Sequence, residues 1–455
     1  MTECTQRAFG FGGPGRREIV ARFDGGTISS DGGALLLQEV ERRTRIIERF
    51  ALCFADRRDA CRIEHTTREL VSQRVLGLCL GYEDLSDHDA LRDDPLLCAL
   101  SGKCDSSLAG KSTLSRLELS TSEADRYKKI ALDTDAVDAL LVDVFIESYT
   151  SAPSEIVIDL DATDFAIHGR QEGRFFHGYY DHYCYLPLYI FCGEHLLCAR
   201  LRSSNIDACA GSTDELAPII EKLRAAWPTT RITIRGDSGF CREEILGWCE
   251  ARGVDYVIGL AKNERLIAQS QYFLGAAQCA FASSGESERE YGELCYRTLD
   301  TWSRERRVVL RAEHSKHGDN PRYVVTSLSE EEVDAKTLYE ELYCARGNME
   351  NCIKEQQLDL FADRVSAQTL RANQVRLYFA SIAYTLMHAL RRIGLKDTEL
   401  ERAQCGTIRL RLLKIGARIT LSVRRIVVAL SQAFPLQALF ARVVDNLRAL
   451  PAPSA

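Results

Sequence analysis

Asp161, Asp237 and Glu350 are the residues of this chain whose types and settings best suit metal-dependent chemistry at phosphorus. Asp161 falls in Ile156-Val-Ile-Asp-Leu-Asp-Ala-Thr-Asp164, an apolar, strand-like run that finishes among carboxylates. Asp237 follows directly on the β-branched alternation of Arg231-Ile-Thr-Ile-Arg-Gly236. Glu350 sits in Leu342-Tyr-Cys-Ala-Arg-Gly-Asn-Met-Glu-Asn-Cys-Ile-Lys354, which reads as helix. Two strand-end aspartates and a helical glutamate meeting at one sheet edge can hold two divalent ions about 4 Å apart, the spacing used for in-line displacement at phosphorus. Crowded carboxylates repel one another unless a cation neutralises them, so the acids after Ile158 make more sense with a metal than without. Each feature alone has a plainer reading: solvated acids after a strand, the turn chemistry of Gly-Asp-Ser-Gly, or an ordinary i,i+4 ion pair between Arg346 and Glu350 worth a few tenths of a kcal/mol.

Around these acids the sequence suggests helpers. Strand alternation puts Asp159 on the face of Asp161, as a supporting or buried residue, with Ile158 and Leu160 on the other face. Tyr343, Arg346, Glu350 and Lys354 follow one another at helical spacing and are expected on a single helix face. On the functional reading Glu350 binds metal, while Arg346 and Lys354 contact the phosphates on either side of the reacting bond. Trp302, flanked by Arg304, Glu305 and Arg306, is a candidate to stack on an unpaired base, against the plainer role of capping a small β module. The loop His168 to His182 gathers histidines, arginines and aromatics close to Asp161 in the chain and is a candidate for DNA contact or, through its histidines, for zinc.

The elements that must position these residues follow from periodicity. Residues 17–24 suggest a strand, and residues 30 to about 148 are helical in character, with Thr66 and Glu69 forming a capping box. From Glu155 the pattern becomes a strand (156–163), a hairpin (185–191 and 196–201), a helix (213–226), a strand (231–236), a helix (241–252) and a strand (254–260). The order βββαβαβ is that of an RNase H-like core, a meander extended by parallel strands through helical crossovers. Residues 264–335 read as a β-rich insertion ahead of a final core helix at 336–362. An N-terminal helical region (1–150) precedes the core, whose first part is 151–263. A C-terminal helical region (363–455) follows, with a break at Gly394 and a basic, β-branched stretch at 408–428.

Length and composition set bounds on function. A chain of 455 residues can bury several cores. No apolar run reaches the roughly 18 to 20 residues of a membrane span, and Met1-Thr-Glu-Cys-Thr-Gln-Arg7 lacks the apolar core of a secretory signal, so the sequence reads as cytosolic. Its seventeen cysteines form no Cys-x-x-Cys pair, and reduced, buried thiols are the reading. The net charge of −7 conceals a basic end: residues 363–450 carry fifteen Lys and Arg against five Asp and Glu.

Taken together, these motifs carry a family resemblance. The acidic triad, the long insertion before the glutamate and Tyr343-x2-Arg346-x3-Glu350 resemble the DDE transposases of the broad insertion-sequence 4 group, with its Tyr-Arg-Glu-Lys signature. Phe23-Asp-Gly-Gly, Ser30-Asp-Gly-Gly-Ala-Leu-Leu-Leu, Gly81-Tyr-Glu-Asp-Leu-Ser-Asp-His-Asp, Gln171-Glu-Gly, His182-Tyr, Pro187-Leu-Tyr and Arg235-Gly-Asp-Ser-Gly-Phe are similar to the insertion-sequence 1380 family in particular. The resemblance runs from about residue 17 to 450. It departs at the signature lysine, whose position is Gln357 here, the nearest lysine being Lys354. The resemblance implies an RNase H-like catalytic domain with two Mg2+ ions, for which Mn2+ can substitute, held by Asp161, Asp237 and Glu350. It further implies double-stranded DNA partners, namely terminal inverted repeats and a target, with cleavage at element ends and joining of the freed 3′-hydroxyl. A homodimer is expected in the active complex. A nuclease on the same fold that does not join strands is the competing expectation.

Overall fold

The structure is a computed structural model that describes residues 7–14, 16–103 and 106–449. Most of Met1 to Arg7, read above for a secretory signal, lies outside these residues. The chain forms two compact units: one comprises Met1–Leu117, Ala124–Ala131 and Ile382–Ala455, the other Glu118–Glu123 and Leu132–Ser381.

The second unit, which is mixed α/β, is built on one large mixed sheet. Its strands are β1 (Glu155–Ala162), β2 (Leu188–Cys192), β3 (His195–Arg200), β4 (Arg231–Gly236), β5 (Asp255–Leu260), β6 (Glu288–Tyr296), β7 (Arg306–Ser315) and β8 (Arg322–Thr326). They lie side by side in the order β3-β2-β1-β4-β5-β8-β7-β6, with Gly318–Asp319 as a short added strand on β7. β1, β2 and β3 are successive antiparallel neighbours, whereas β4 lies parallel to both β1 and β5. The parallel connections require crossovers, and helices α1 (Ser212–Ala226) and α2 (Glu243–Arg252) provide them.

Strand alternation explains the layering. Ile156 and Ile158 of β1 face the same side as Ile232 and Ile234, their register partners in β4. All four join a core with Leu160, Leu216, Ile220 and Leu246. On the opposite side Val257, Val309 and Val324 pack under Leu338 and Tyr339. On β1 itself Asp159 is buried, whereas Asp161 and Ala162 near the carboxyl end are partly exposed.

The strands expected in an insertion do not stand apart. β8 pairs antiparallel with β5, so β6, β7 and β8 continue the same sheet. Two helices, Glu264–Gln269 and α3 (Gln271–Ser284), precede them, at the start of the stretch expected to be a β-rich insertion. Leu266, Leu274 and Ala277 are their buried contacts, and an alanine-rich stretch favours helix. The polar segment after Ala282 is the helix end: Gly285 takes φ +73° as the left-handed cap, its amide bonded to Phe281 O at 2.8 Å.

In the other unit the capping box is present, with Glu69 N donating to Thr66 Oγ1 at 3.2 Å and Thr66 N to Glu69 Oε2 at 2.8 Å. Residues 9–11 and 19–21 pair as short strands. The C-terminal region is not helical throughout. Ala417–Ser422 and Arg425–Leu430 form a hairpin, to which Ile28–Ser29 adds a third strand. Ile419, Thr420, Ile426, Val427 and Val428 are β-branched and suit a pleated surface better than a helix. Among the described residues no helix is long and apolar enough to cross a membrane, and all described cysteines are free.

Candidate active site

Asp161 sits at the penultimate position of β1, and Asp237 directly follows the last residue of the neighbouring parallel strand β4. This is the carboxyl end of the parallel strands, where open α/β sheets place their ligands. Glu350 comes from α4 (Gly347–Leu360). All three line one cavity of about 560 Å³, together with Thr163, His177, Tyr179, Tyr180, Ser238, Arg346, Lys354 and Gln357.

Local chemistry fixes each acid. Asp237 Oδ1 accepts from Gly239 N at 2.8 Å and caps the single turn Ser238–Phe240. Asp161 Oδ1 accepts from its neighbouring Ala162 N at 3.0 Å. The Arg346 guanidinium spans the other two acids, with Nη1 at 3.4 Å from Asp161 Oδ2 and Nη2 at 2.9 Å from Glu350 Oε1. Burial pushes the Asp161 carboxyl up to about 7; Arg346 opposes the rise, and Asp237 and Glu350 add to it.

Asp159 is not part of the cavity. It is paired across the sheet with Arg235, its register partner in β4, with Nε donating to Oδ1 at 2.5 Å and Nη2 to Oδ2 at 2.8 Å. The remaining Arg235 nitrogen, Nη1, donates to the Leu342 carbonyl. This buried pair therefore ties β1 and β4 to the chain segment that leads into α4.

The donors suit a hard divalent cation, which prefers carboxylate oxygens. The guanidinium drawn between two of the acids answers part of their negative charge. As they stand, however, no three His, Cys, Asp or Glu side chains among the described residues form a cluster able to hold an ion. The acids share a cavity with Arg346 among them instead of closing on one point.

Two expected DNA contacts are not among the residues that line the cavity. Trp302 is 4% exposed. It sits edge-on to Tyr296 at 5.9 Å and beneath the Arg306 guanidinium at 5.2 Å, and Arg306 is itself locked between Glu243 and Glu250. No indole face is available to a base, and the packing role is the observed one. Tyr343 was expected on one helix face with Arg346, Glu350 and Lys354, yet it does not line the cavity. Residues Leu338–Tyr343 wind as a π-helix and Cys344–Arg346 as a 3-10 turn before α4 begins. Tyr343 and Arg346 stay one turn apart in that winding and interact electrostatically, but the Tyr343 hydroxyl lies against Gly259 on β5 and not on the cavity wall. Tyr343 instead packs on Tyr339, with ring centroids 5.6 Å apart, and burial pushes its phenol up to about 12. Lys354 and Gln357 both line the cavity, so the shifted lysine still reaches the wall.

Gly259 on β5 is the close-approach point of the site. A Cβ there would lie 2.5 Å from the Tyr343 hydroxyl and 3.0 Å from Ser238 N. Gly259→Ala is therefore expected to displace the Asp237 turn, lowering catalytic rate about tenfold or more with less than about 2 kcal/mol lost in stability. Parallel rate and urea-denaturation measurements would check this, and an unchanged rate would show that the turn tolerates the methyl group.

His177, Tyr179 and Tyr180 also belong to the cavity. The sequence placed them in a loop near Asp161, but only the hairpin they form brings them to the rim. Ser238, next to Asp237, carried no signal beyond adjacency.

Fold and site together define a chain with three acids gathered at the carboxyl edge of a mixed sheet, a grouping found in enzymes that act on phosphodiesters. The family described as Transposase DDE domain group 1 matches residues 11–452, and the chain belongs to that family. A solved structure of piggyBac transposase, a synaptic complex with hairpin DNA, is similar at 13% identity and a TM-score of 0.41, over 94% of this chain and 86% of that one. No curated protein matches the chain.

Proposed function

We propose that the chain is the transposase of an insertion sequence of the 1380 kind. It binds the element's terminal inverted repeats, cleaves DNA at the ends and joins the 3′-hydroxyls to target DNA. The observation that supports this most is that three acids distant in sequence line one cavity with a guanidinium and an ammonium group. On this reading β1 to β5 with α1, α2 and α4 are an RNase H-like core, and Asp161, Asp237 and Glu350 hold two Mg2+ ions, or Mn2+ in their place. When bound, such ions supply Lewis-acid stabilisation and activate the attacking oxygen.

The protein's own residues do the rest. Arg346 and Lys354 bring positive charge to the wall where a phosphodiester must lie, and preorganised charge of this kind favours the transition state over the ground state. Asp159 and Arg235 hold the two aspartate-bearing strands in register. Residues 1–150 are the proposed end-recognition region, and the basic residues 363–455 serve DNA backbone contact or dimerisation, two ends requiring at least a homodimer.

The deciding experiment supplies labelled terminal-repeat DNA, taken from the sequence flanking the reading frame, with a supercoiled target and Mg2+. Joined product is expected, whereas cleavage without joining would make the protein a nuclease. Lys354→Ala is expected to weaken DNA binding across sequences and to reduce the slope of log affinity against log salt by about one. An unchanged slope in a salt titration would remove Lys354 from the phosphate contacts.

A further inference from the structure

The turn Gly178-Tyr-Tyr-Asp181 closes a small hairpin between residues 175–177 and 182–185. It is clamped to the end of β1. Tyr180 donates to the Ala162 carbonyl at 3.4 Å, and its ring lies 5.0 Å from that of His177 and 6.1 Å from that of His182. His182 is held by Asp164 at 2.8 Å. Asp181 takes φ +58°, uncommon for a non-glycine residue, and its amide bonds to His177 O at 2.9 Å. This framework leaves Tyr179 85% exposed while it lines the same cavity as Asp161 and Asp237. Tyr180 meets it only edge-on, with ring centroids 5.0 Å apart. Further along the hairpin, Phe176 and Tyr183 are exposed cross-strand partners, and the Arg174 guanidinium lies 3.7 Å from the Tyr183 ring centroid.

A large aromatic ring held out in water, on a turn fixed by hydrogen bonds and ring contacts, gains nothing from burial in the free protein. Its open face suits another flat π-system. Within a duplex the base faces are already stacked on their neighbours, so the ligand that fits is a base without a partner. We propose that Tyr179 is a stacking platform for an unpaired nucleobase of the DNA whose phosphodiester enters the Asp161 and Asp237 cavity. The site is distinct from Trp302, whose ring is buried. Its selectivity is for unpaired structure over sequence, because every base offers a π-face. The inference rests on the transposase reading given above.

The test compares a duplex carrying a short unpaired flap with the same duplex blunt, by fluorescence anisotropy with Ca2+ in place of Mg2+. The wild-type protein is expected to favour the flapped DNA about tenfold or more. Tyr179→Ala is expected to bind both DNAs alike, with little change in melting temperature because the ring is 85% exposed and meets Tyr180 only at its edge. Tyr179→Trp is expected to keep the preference, and to show quenching of its added indole emission by the flapped DNA alone. If the wild-type protein binds neither DNA, both the functional reading and this inference fall. If it binds DNA and Tyr179→Ala discriminates as the wild type does, or Tyr179→Trp shows no selective quenching, this inference alone falls.

Discussion

Asp237→Asn is expected to bind terminal-repeat DNA with wild-type affinity and to cleave it at least about a thousandfold more slowly, as when a member of a cooperating catalytic set is removed. Asparagine is the informative replacement because the side-chain oxygen that accepts from Gly239 N at 2.8 Å can be kept. The turn Ser238–Phe240 then survives and only the charge is lost. Asp237→Ala removes that cap as well, so a larger fall in stability for alanine than for asparagine, with equal loss of cleavage, would separate the structural from the chemical contribution. Timed cleavage of labelled ends with both variants checks this. Cleavage by Asp237→Asn at more than about a tenth of the wild-type rate would exclude Asp237 from the reacting set.

The second large effect lies behind the cavity. Asp159→Ala leaves the Arg235 guanidinium, 8% exposed, without its carboxylate partner, and an uncompensated buried charge costs about 3–5 kcal/mol. Burial pushes the Asp159 carboxyl up, and Arg235 opposes the rise, with Arg346 adding to the opposition. The double replacement Asp159→Leu with Arg235→Met is expected to recover most of the loss, since an apolar pair removes both desolvation penalties together. It would not restore the hydrogen bond to the Leu342 carbonyl, so a stable protein with slowed cleavage is the expected result. Urea midpoints for the two variants, with rates for the double, test the argument. A single variant as stable as the wild type would show that Arg235 finds other company.

What the sequence disclosed depended on whether a feature was local. Asp161 and Asp237 were legible because apolar alternation ends at each of them, and a strand end is where a carboxylate meets a cleft. Glu350 needed helical spacing and the family signature together, since the helix alone reads as an ordinary ion-paired surface. The Asp159 and Arg235 pair was hidden, because it exists only through the register of two parallel strands separated by an entire crossover. Tyr343 keeps its place one turn before Arg346, but helical spacing could not show that its hydroxyl is taken up against Gly259 on a neighbouring strand instead of the cavity. Trp302 carried the same neighbours whether packed or exposed, and only burial decided. The hairpin at residues 417–430 was visible as β-branched composition but was overruled by the helical pattern around it.

One feature of the architecture bears on how the polypeptide is made. Asp161, Asp237 and Glu350 all precede Ile382, whereas the other unit closes only by joining the two ends of the chain: Gly32 N donates to Ile415 O at 2.8 Å, Arg409 Nε to Cys79 O at 2.8 Å, and Lys414 pairs with Asp31 at 2.6 Å. Domains fold as units during synthesis, so the large mixed sheet is finished on the ribosome while the residues up to Leu117 still wait for the segment from Ile382 onward. A message broken near its end would then release a polypeptide with its acidic centre assembled and its first unit unsealed.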